Sequence, residues 1–371
     1  MKIVINAIVY HEKPRGVGVY LNNLIKNLSI KDDKNQYYIY YGDWMHEYEF
    51  LNVSKENIKF IRVNIPRNKI IRNLYQALIF PIIILKHKPD ILHLPDTSPI
   101  LIKTTKIVST IHDLAEFYCP EKYSKIQAIS RKYIVKLQTI LSDKIITISN
   151  FSKKTLETKL GINKDKIFTI YNGVDIEKFR RKVNSDVLIK YGLEPQKYIL
   201  YVGEIERTKN VSVLIKAHKE YSRNRNVKLV ICGKKGNDYS NIIELVDNYE
   251  LKGDVIFTDY VTDDELITLY NNSWCFVFPS IFEGFGLPII EAMATNTPVI
   301  CSDKSCLPEI GGNAVLIFES HSERSLIDCY KKLENDKNLR HKLCELADKR
   351  ISNFAWEKSA NEVLEVYEMM R

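Results

Sequence analysis

Short apolar runs rich in β-branched residues alternate along the chain with segments whose apolar residues recur at helical spacing. In the first half, segments 19–28 and 73–86 predict helices. The runs between such segments predict strands at 3–8, 37–41, 91–94, 107–111 and 144–148. This alternation is typical of a parallel sheet covered by helices, so the sequence predicts an α/β fold.

The same alternation restarts in the second half. A polar stretch at 175–195, rich in Lys, Asn and Asp, predicts the boundary between two domains. We therefore predict two doubly wound, Rossmann-like domains at 1–180 and 181–353, and a closing helical segment at 354–371. The second set of predicted strands is 198–202, 228–232, 255–258, 274–279 and 298–301.

Composition narrows the class of protein. With 45% hydrophobic and 27% charged residues the chain is globular, and its formal net charge of +8 suits any anionic partner without choosing one. No basic motif interleaved with aromatic residues is present, so we predict no nucleic-acid partner. The seven cysteines are odd in number and form no Cys-x-x-Cys pair, which argues against a disulfide framework or a zinc site. Together with an N-terminus unlike a signal peptide, this predicts a cytoplasmic location.

The most apolar stretch, at 74–85, contains Pro81 and is too short to span a bilayer. Two interpretations stay open. The stretch is either a core helix with basic ends, or a peripheral contact with anionic lipid at the inner membrane face. The basic residues that flank it are Arg67, Lys69, Arg72, Lys86 and Lys88.

The segment with the clearest chemistry covers 279–293 and reads PSIFEGFGLPIIEAM. A loop with two glycines follows a predicted strand, and Pro288 falls in the first turn of the next helix, where proline is tolerated. A helix N-terminus offers unpaired N–H groups and a positive dipole, which together favour phosphate. From the pattern alone, a plain strand–helix turn with two solvated carboxylates, Glu283 and Glu291, fits equally well.

This segment resembles the retaining glycosyltransferases of family 4, which have the GT-B fold. Glu283 and Glu291 match the Glu-x7-Glu signature inside the family phrase EGFGLPxxEAM, and the resemblance extends over nearly the whole chain. It implies two Rossmann-like domains facing across a cleft, the acceptor in the first and the nucleotide sugar in the second, with 354–371 crossing back to the first. The other matching phrases are RGVGVY at 15–20, TIHDL at 110–114, ISNFS at 148–152, YNGVD at 171–175 and PEIG at 308–311.

The resemblance also implies roles for residues of this segment. Glu291 would bind the ribose of the donor, and Glu283 would act as a catalytic group on the sugar hydroxyls, because a carboxylate can accept two hydrogen bonds from a pair of hydroxyls. The loop would cover the phosphates and the sugar through four donor-binding residues, Gly284, Phe285, Gly286 and Leu287.

A second implied donor contact is the loop GEIERTKN at 203–210. In the family an Arg and a Lys of this loop hold the diphosphate, whose negative charge grows as the glycosidic bond breaks. Lys209 matches the Lys and is predicted to bind the donor and to be catalytic. Glu204 and Thr208 stand where relatives carry the Arg. Arg207 is the nearest substitute, and a solvated surface side chain is the alternative for it.

In the first domain, His112 lies within the matching phrase at 110–114. The resemblance implies a catalytic place beside the transferred sugar, whereas a lone His at a strand end is otherwise a structural hydrogen-bonding group. Gly16 and Gly18 would bring backbone N–H groups to the diphosphate or the acceptor, and a plain strand–helix turn is their alternative. No strict Asp-x-Asp occurs in the chain, so we predict a metal-independent site without a cofactor, the nucleotide sugar being a co-substrate.

The predicted function is transfer of a hexose from a nucleotide diphosphate sugar to a glycan or lipid-linked acceptor in cell-surface polysaccharide synthesis. The Glu-x-x-Lys-Asn variant of the basic loop resembles mannosyl- and rhamnosyl-type enzymes, which suggests a donor similar to GDP-mannose. Two alternatives stay open: a nucleotide-sugar epimerase of the same fold, and a non-catalytic subunit that binds sugar nucleotides.

Overall fold

The computed structural model describes residues 1–9, 12–14, 16–66, 68–181, 183 and 186–371. Arg15 and Arg67, and the side chain of Lys69, lie outside this description. The chain forms two compact units, Met1–Gly173 with Ala355–Arg371, and Val174–Phe354.

The chain therefore passes from the first unit to the second after Gly173, before the predicted domain boundary at 180/181. The short helix Ile176–Arg180 belongs to the second unit because its Phe179 is buried there, with its ring centroid 6.2 Å from that of Tyr270. The boundary was predicted from a polar stretch of the sequence, and polarity alone does not reveal this aromatic contact.

The first unit is built on a parallel sheet with the strand order β3-β2-β1-β4-β5-β6-β7. Its strands are β1 Lys2–Asn6, β2 Gln36–Gly42, β3 Ile58–Val63, β4 Ile91–Leu94, β5 Lys106–Ile111, β6 Lys144–Thr147 and β7 Ile167–Thr169. Its helices before the division are α1 Val17–Lys31, α2 Lys69–Leu74, α3 Phe80–Ile83, α4 Ala115–Tyr118, α5 Lys125–Leu141 and α6 Asn150–Leu160.

The second unit repeats the design with the strand order β10-β9-β8-β11-β12-β13. Its strands are β8 Tyr198–Val202, β9 Lys228–Cys232, β10 Val255–Asp259, β11 Cys275–Phe278, β12 Val299–Ser302 and β13 Val315–Phe318. Its helices are α7 Ile176–Arg180, α8 Val187–Lys190, α9 Val211–Tyr221, α10 Tyr239–Asn248, α11 Asp263–Asn272, α12 Leu287–Ala294, α13 Leu307–Gly311, α14 Glu323–Asn335 and α15 Lys337–Ile351. The predicted α/β fold with two Rossmann-like domains is confirmed.

Three strands were not predicted from the sequence, β3, β7 and β13, and all three lie at the edge of a sheet. An edge strand is covered less completely than a central one, and in β3 this interrupts the apolar run. In β3 the exposed Lys59 and Arg62 break the pattern. Continuous apolar runs identify central parallel strands best, because only those are buried on both faces.

The last helix, α16 Trp356–Glu368, belongs to the first unit. Trp356, Val363, Val366 and Tyr367 are buried in that unit's hydrophobic core, at the helical spacing seen in the sequence.

The apolar stretch after β3 forms a longer and less regular helix than predicted. It starts at Lys69, passes through a π-helical turn at Tyr75–Ile79 and α3, and ends in a 3-10 turn at Ile84–His87. Only one side of it is in the core, so the core-helix interpretation explains that side alone. In the described residues, no helix is long and apolar enough to cross a membrane.

Candidate active site

Two loops of the second unit, at 203–210 and 279–286, begin at the carboxyl ends of neighbouring strands of its sheet. β8 and β11 are hydrogen-bonded neighbours at the point where the strand order reverses. In doubly wound sheets the connections on either side of this point diverge and leave a crevice outside the carboxyl ends of the strands. β8 leads into the basic loop at 203–210, and β11 leads into the glycine loop at 279–286. The topology therefore brings the two sequence-predicted donor loops together.

Lys209 and Glu283 form a close ion pair between these loops. The Lys209 Nζ donates to Glu283 Oε1 at 2.5 Å, and the two side chains are only 19% and 15% exposed. The same Nζ lies 5.6 Å from the ring centroid of Phe278 at the end of β11. Because an ammonium group has three N–H donors, Lys209 can hold Glu283 and still bind an incoming anion.

The position of Lys209 is fixed by the turn around it. Residues Arg207–Lys209 form a 3-10 turn, and Asn210 follows with a left-handed φ of 53°. The Asn210 side-chain amide donates to the Ser320 carbonyl at 2.6 Å, which compensates for a backbone conformation that asparagine tolerates better than most residues. The lysine is thus held on a braced turn directly before α9.

The backbone of Glu283 is held by a loop that the sequence analysis did not single out. Its N–H donates to Ser305 Oγ at 3.0 Å. The buried Cys306 thiol lies 3.3 Å from the Glu283 carbonyl and 3.2 Å from the Phe285 carbonyl, with one proton to donate. Burial raises the pKa of this thiol, so it stays a neutral donor. The only sequence signal for these residues is that they follow β12, next to β11 in the sheet.

The glycine loop ends at Gly286, which caps α12 with φ 94°. A Cβ there would lie 2.9 Å from Leu307 Cδ2, so both conformation and packing favour glycine. Phe285 turns its ring inward, 5.8 Å from that of Phe354, which leaves only its backbone for a ligand. Gly284 and Leu287 are partly exposed on either side.

Glu291 lies in α12 in a different electrostatic environment from Glu283. Burial raises the pKa of its carboxyl to about 7, although a hydrogen bond from the Tyr270 hydroxyl to Oε2, at 3.1 Å, and the charge of Lys178 oppose the shift. The group is therefore close to half protonated at neutral pH. The two glutamates of the signature are chemically unequal.

Arg207 differs from its neighbour Lys209. It is exposed, its backbone N–H donates to Asn237 Oδ1 at 3.1 Å, and its guanidinium makes no hydrogen bond or ion pair with another described residue. The structure thus leaves it available to a ligand, without the bracing that holds Lys209.

In the first unit, His112 directly follows β5. Its Nε2 lies 2.7 Å from the Pro95 carbonyl, and the Tyr20 ring meets it edge-on with centroids 4.8 Å apart. Since a carbonyl only accepts, Nε2 carries the proton and Nδ1 keeps its lone pair in the neutral ring. His112 can therefore accept a hydrogen bond through Nδ1.

The two N-terminal glycines have different surroundings. Gly16 precedes α1 with φ 48°, and a Cβ there would meet nothing within 4 Å. Gly18 is inside α1 and buried, and a Cβ would lie 2.6 Å from the Tyr48 hydroxyl. Close packing against Tyr48 thus accounts for Gly18 without a ligand.

Behind His112 lies a buried chain of hydrogen bonds that sequence reasoning missed. The Tyr20 hydroxyl is 3.0 Å from Thr110 Oγ1, which is 2.9 Å from His93 Nε2. His93 Nδ1 is in turn 2.5 Å from the Tyr367 hydroxyl of α16. Burial lowers the pKa of His93 to about 3, so its ring stays neutral. Only the fold brings these four residues together.

In the part of the chain that the structure describes, no three His, Cys, Asp or Glu side chains are grouped so as to hold a metal ion.

Two family models match the chain in succession. The model described as Glycosyltransferase Family 4 matches residues 14–178, and the model described as Glycosyl transferases group 1 matches residues 185–350, which include both loops predicted to bind the donor. The chain belongs to this glycosyltransferase family. The resemblance drawn from its motifs is thereby confirmed, while the roles of individual residues stay predictions.

Among curated relatives, the chain is 33% identical to the O-antigen chain mannosyltransferase RfbU of Salmonella typhimurium, over 61% of this chain and 60% of that protein. It is 29% identical to the O-antigen chain mannosyltransferase B of Escherichia coli, over 71% of each. The first of these matches thus spans less than two thirds of the relative.

Solved structures show the same fold. Sucrose-phosphate synthase from Thermosynechococcus elongatus superposes with a TM-score of 0.77 at 20% identity, covering 100% of this chain and 98% of that one. This likeness places the glycosyltransferase in the GT-B fold class.

Proposed function

We propose that this glycosyltransferase moves a hexose, with retention of configuration, from a nucleotide diphosphate sugar to a glycan or lipid-linked acceptor in cell-surface polysaccharide synthesis. The names of the two relatives, both mannosyltransferases of O-antigen chains, support mannose as the sugar and a donor similar to GDP-mannose. No nucleic-acid partner is part of the proposal.

The observation that carries the proposal is the Lys209–Glu283 pair at the switch point of the second sheet. It places a cation beside a carboxylate where two loops meet, and both side chains are largely shielded from water. A donor needs both signs of charge there. The ammonium balances the diphosphate, and the carboxylate orients sugar hydroxyls and stabilises the positive character of the sugar in the transition state.

The reaction then follows from these groups. As the bond between the anomeric carbon and the diphosphate oxygen breaks, Lys209 stabilises the charge on the leaving group. The acceptor hydroxyl attacks the same face of the sugar, forms the new glycosidic bond and gives its proton to the leaving diphosphate. Glu291 holds the ribose, and His112 Nδ1 can accept a hydrogen bond from a sugar hydroxyl.

The test is a panel of nucleotide sugars, first by thermal shift and then by turnover. A ligand that binds only the native state raises the melting temperature, which identifies the donor. Release of nucleoside diphosphate that depends on an added acceptor, with an α-linked product from an α-linked donor, supports the proposal. Conversion of donor alone to an epimer identifies an epimerase instead, and binding without release identifies a non-catalytic subunit.

The proposal includes a metal-independent site. Lys209 and the N-terminus of α12 supply positive charge of the kind that a cation provides in other transferases. We expect turnover to be unchanged in excess EDTA, measured as nucleoside diphosphate release. Activity that disappears in chelator and returns with magnesium or manganese would contradict this.

A further inference from the structure

The helical segment after β3 presents a row of large apolar side chains to solvent. Ile70 is 70% exposed, Leu74 is 56% exposed and Ile82 is 58% exposed. Its opposite side is anchored in the unit through buried Ala77, Phe80 and Ile84, so the outward row is a fixed surface. Four further side chains belong to the exposed row: Ile71, Leu78, Ile79 and Leu85.

Helix α5 carries a second row of this kind. Ile126 is 81% exposed, Ile129 69%, Tyr133 68% and Ile140 61%, while Val135 and Gln138 are buried on the other side. Their spacing of three, four and seven residues places them on one stripe of the helix. Lys125, Lys132 and Lys136 follow the same spacing along one edge of that stripe. This helix was not among those predicted from the sequence.

The two rows are on the same face of the first sheet. The connections β3 to β4 and β5 to β6 both advance toward β7 in the strand order, and right-handed crossovers of the same direction lie on the same face. The loop at 98–102 joins them, since the Ser98 N–H donates to Gln138 Oε1 in α5 and the Leu101 N–H donates to the Ala77 carbonyl. Leu101 and Ile102 are themselves 51% and 40% exposed.

The charged side chains of these two helical segments have one sign. Residues 67–88 and 125–141 contain no Asp or Glu, whereas each segment contains several Lys or Arg. Lys86, Lys88, Lys125 and Lys136 are exposed beside the apolar rows. Surfaces that bind anionic bilayers combine these two features: apolar side chains enter the headgroup region, and the cations beside them attract the anionic lipids.

We infer that this outer face, formed by residues 70–85, 101–102 and 126–140, docks the protein on an anionic lipid bilayer. A second copy of the chain is the poorer occupant, because a two-fold interface would set the same cations of both copies against each other without an acidic partner on either segment. Docking is a property of the first unit's surface and does not depend on the proposed reaction. It would give that reaction access to a lipid-linked acceptor.

The test is flotation of the purified full chain with vesicles of phosphatidylcholine alone or with added phosphatidylglycerol. We expect flotation with the anionic vesicles, weakened by high salt. The double variant Ile126→Glu/Tyr133→Glu should lower vesicle binding by roughly tenfold or more, because it removes apolar contact and adds like charge to the lipid. Ile30→Glu is the matched control and should float like the parent chain. Ile30 is 62% exposed on α1, whose crossover runs in the opposite direction and so lies on the other face of the sheet.

Unchanged melting temperatures would show that the variants are folded. The inference is overturned if the parent chain stays with the unfloated protein, if it binds both vesicles equally, or if the double variant floats as well as the control. If the parent chain sediments as a dimer and the double variant as a monomer, the face instead binds a second copy of the chain. Donor turnover in detergent-free solution tests the proposed function separately.

Discussion

The carboxyl ends of the two sheets have opposite designs. In the second unit, charged groups approach each other on loops, with Lys209 and Glu283 in contact and the carboxyl of Glu291 nearby in sequence on α12. In the first unit, His112 packs against the ring of Tyr20, whose hydroxyl begins a buried chain of hydrogen bonds that includes His93 and Tyr367. The second unit thus presents charged side chains at the end of its sheet, whereas the first unit presents the imidazole ring of His112, supported by neutral buried groups.

This contrast predicts that substitutions in the two units will affect different quantities. Groups that face growing charge should affect the rate, because their interaction is stronger in the transition state than in the ground state. Groups in a neutral buried network should affect stability, because their partners lose hydrogen bonds in a place without water. Four substitutions test whether the two units divide in this way.

Lys209→Ala should have the largest effect. In the proposed reaction it removes a preorganised cation from the leaving diphosphate, so we expect kcat to fall by about 100-fold or more, with a smaller change in the donor KM. Steady-state kinetics with saturating acceptor would measure this. Lys216→Ala, at an exposed lysine of the neighbouring α9, is the control and should behave like the parent. An unchanged kcat in Lys209→Ala would remove the diphosphate assignment for this loop.

Tyr367→Phe tests the first unit. It deletes the hydroxyl that faces His93 Nδ1 and leaves a buried ring nitrogen unpaired, so the free energy of unfolding should fall by about 1–3 kcal/mol. Denaturant unfolding of this variant and of Tyr133→Phe, whose ring is 68% exposed, would give the difference. We expect kcat per folded molecule to change less than in Lys209→Ala. If stability stays the same while kcat falls sharply, the network acts in the reaction and the division between the units is wrong.

The pKa of Glu291 predicts a pH-dependent donor affinity. Burial raises it to about 7, and in the proposed role of Glu291 only the ionised carboxylate would accept two hydrogen bonds from the ribose hydroxyls. Donor binding should therefore weaken about tenfold as the pH falls from about 8 to about 6. Calorimetric titration with donor across this range would measure it. In Glu291→Gln we expect weaker binding that no longer varies with pH.

The same shift has a stability consequence of known sign. The folded protein keeps the Glu291 proton between the ordinary value of 4.5 and about 7, while the unfolded chain loses it. The contribution of Glu291 to stability is therefore greatest below that window and is lost as pH rises through it. Glu291→Gln should become more stable relative to the parent as pH rises from 5 to 8, and an identical pH profile in both proteins would refute the shift.

The two loops that Lys209 and Glu283 join were named from the sequence, whereas the hydrogen-bonded chain of the first unit was not, for a physical reason. Each of these two loops is continuous in sequence, so Glu283, Gly286 and Lys209 could be named from local phrases. The partners of His93 come from separate elements, and nothing local marks them. Helix α5 shows a different limit, because periodicity reveals an apolar stripe without telling whether it faces the core.

Arg207→Ala is the smallest expected effect and the sharpest test of how the basic loop works. Its guanidinium is exposed and has no described partner, whereas the Lys209 ammonium is braced against Glu283. An unbraced side chain must lose rotamer freedom to hold a diphosphate, which offsets part of the attraction. We therefore expect the donor KM to rise by about threefold with little change in kcat, the pattern of lost ground-state binding. Arg223→Ala, at an exposed arginine just past the end of α9, should leave the KM unchanged. A fall in kcat as large as that of Lys209→Ala would show that Arg207 becomes ordered on the donor and carries the role of the arginine that is missing from positions 204 and 208.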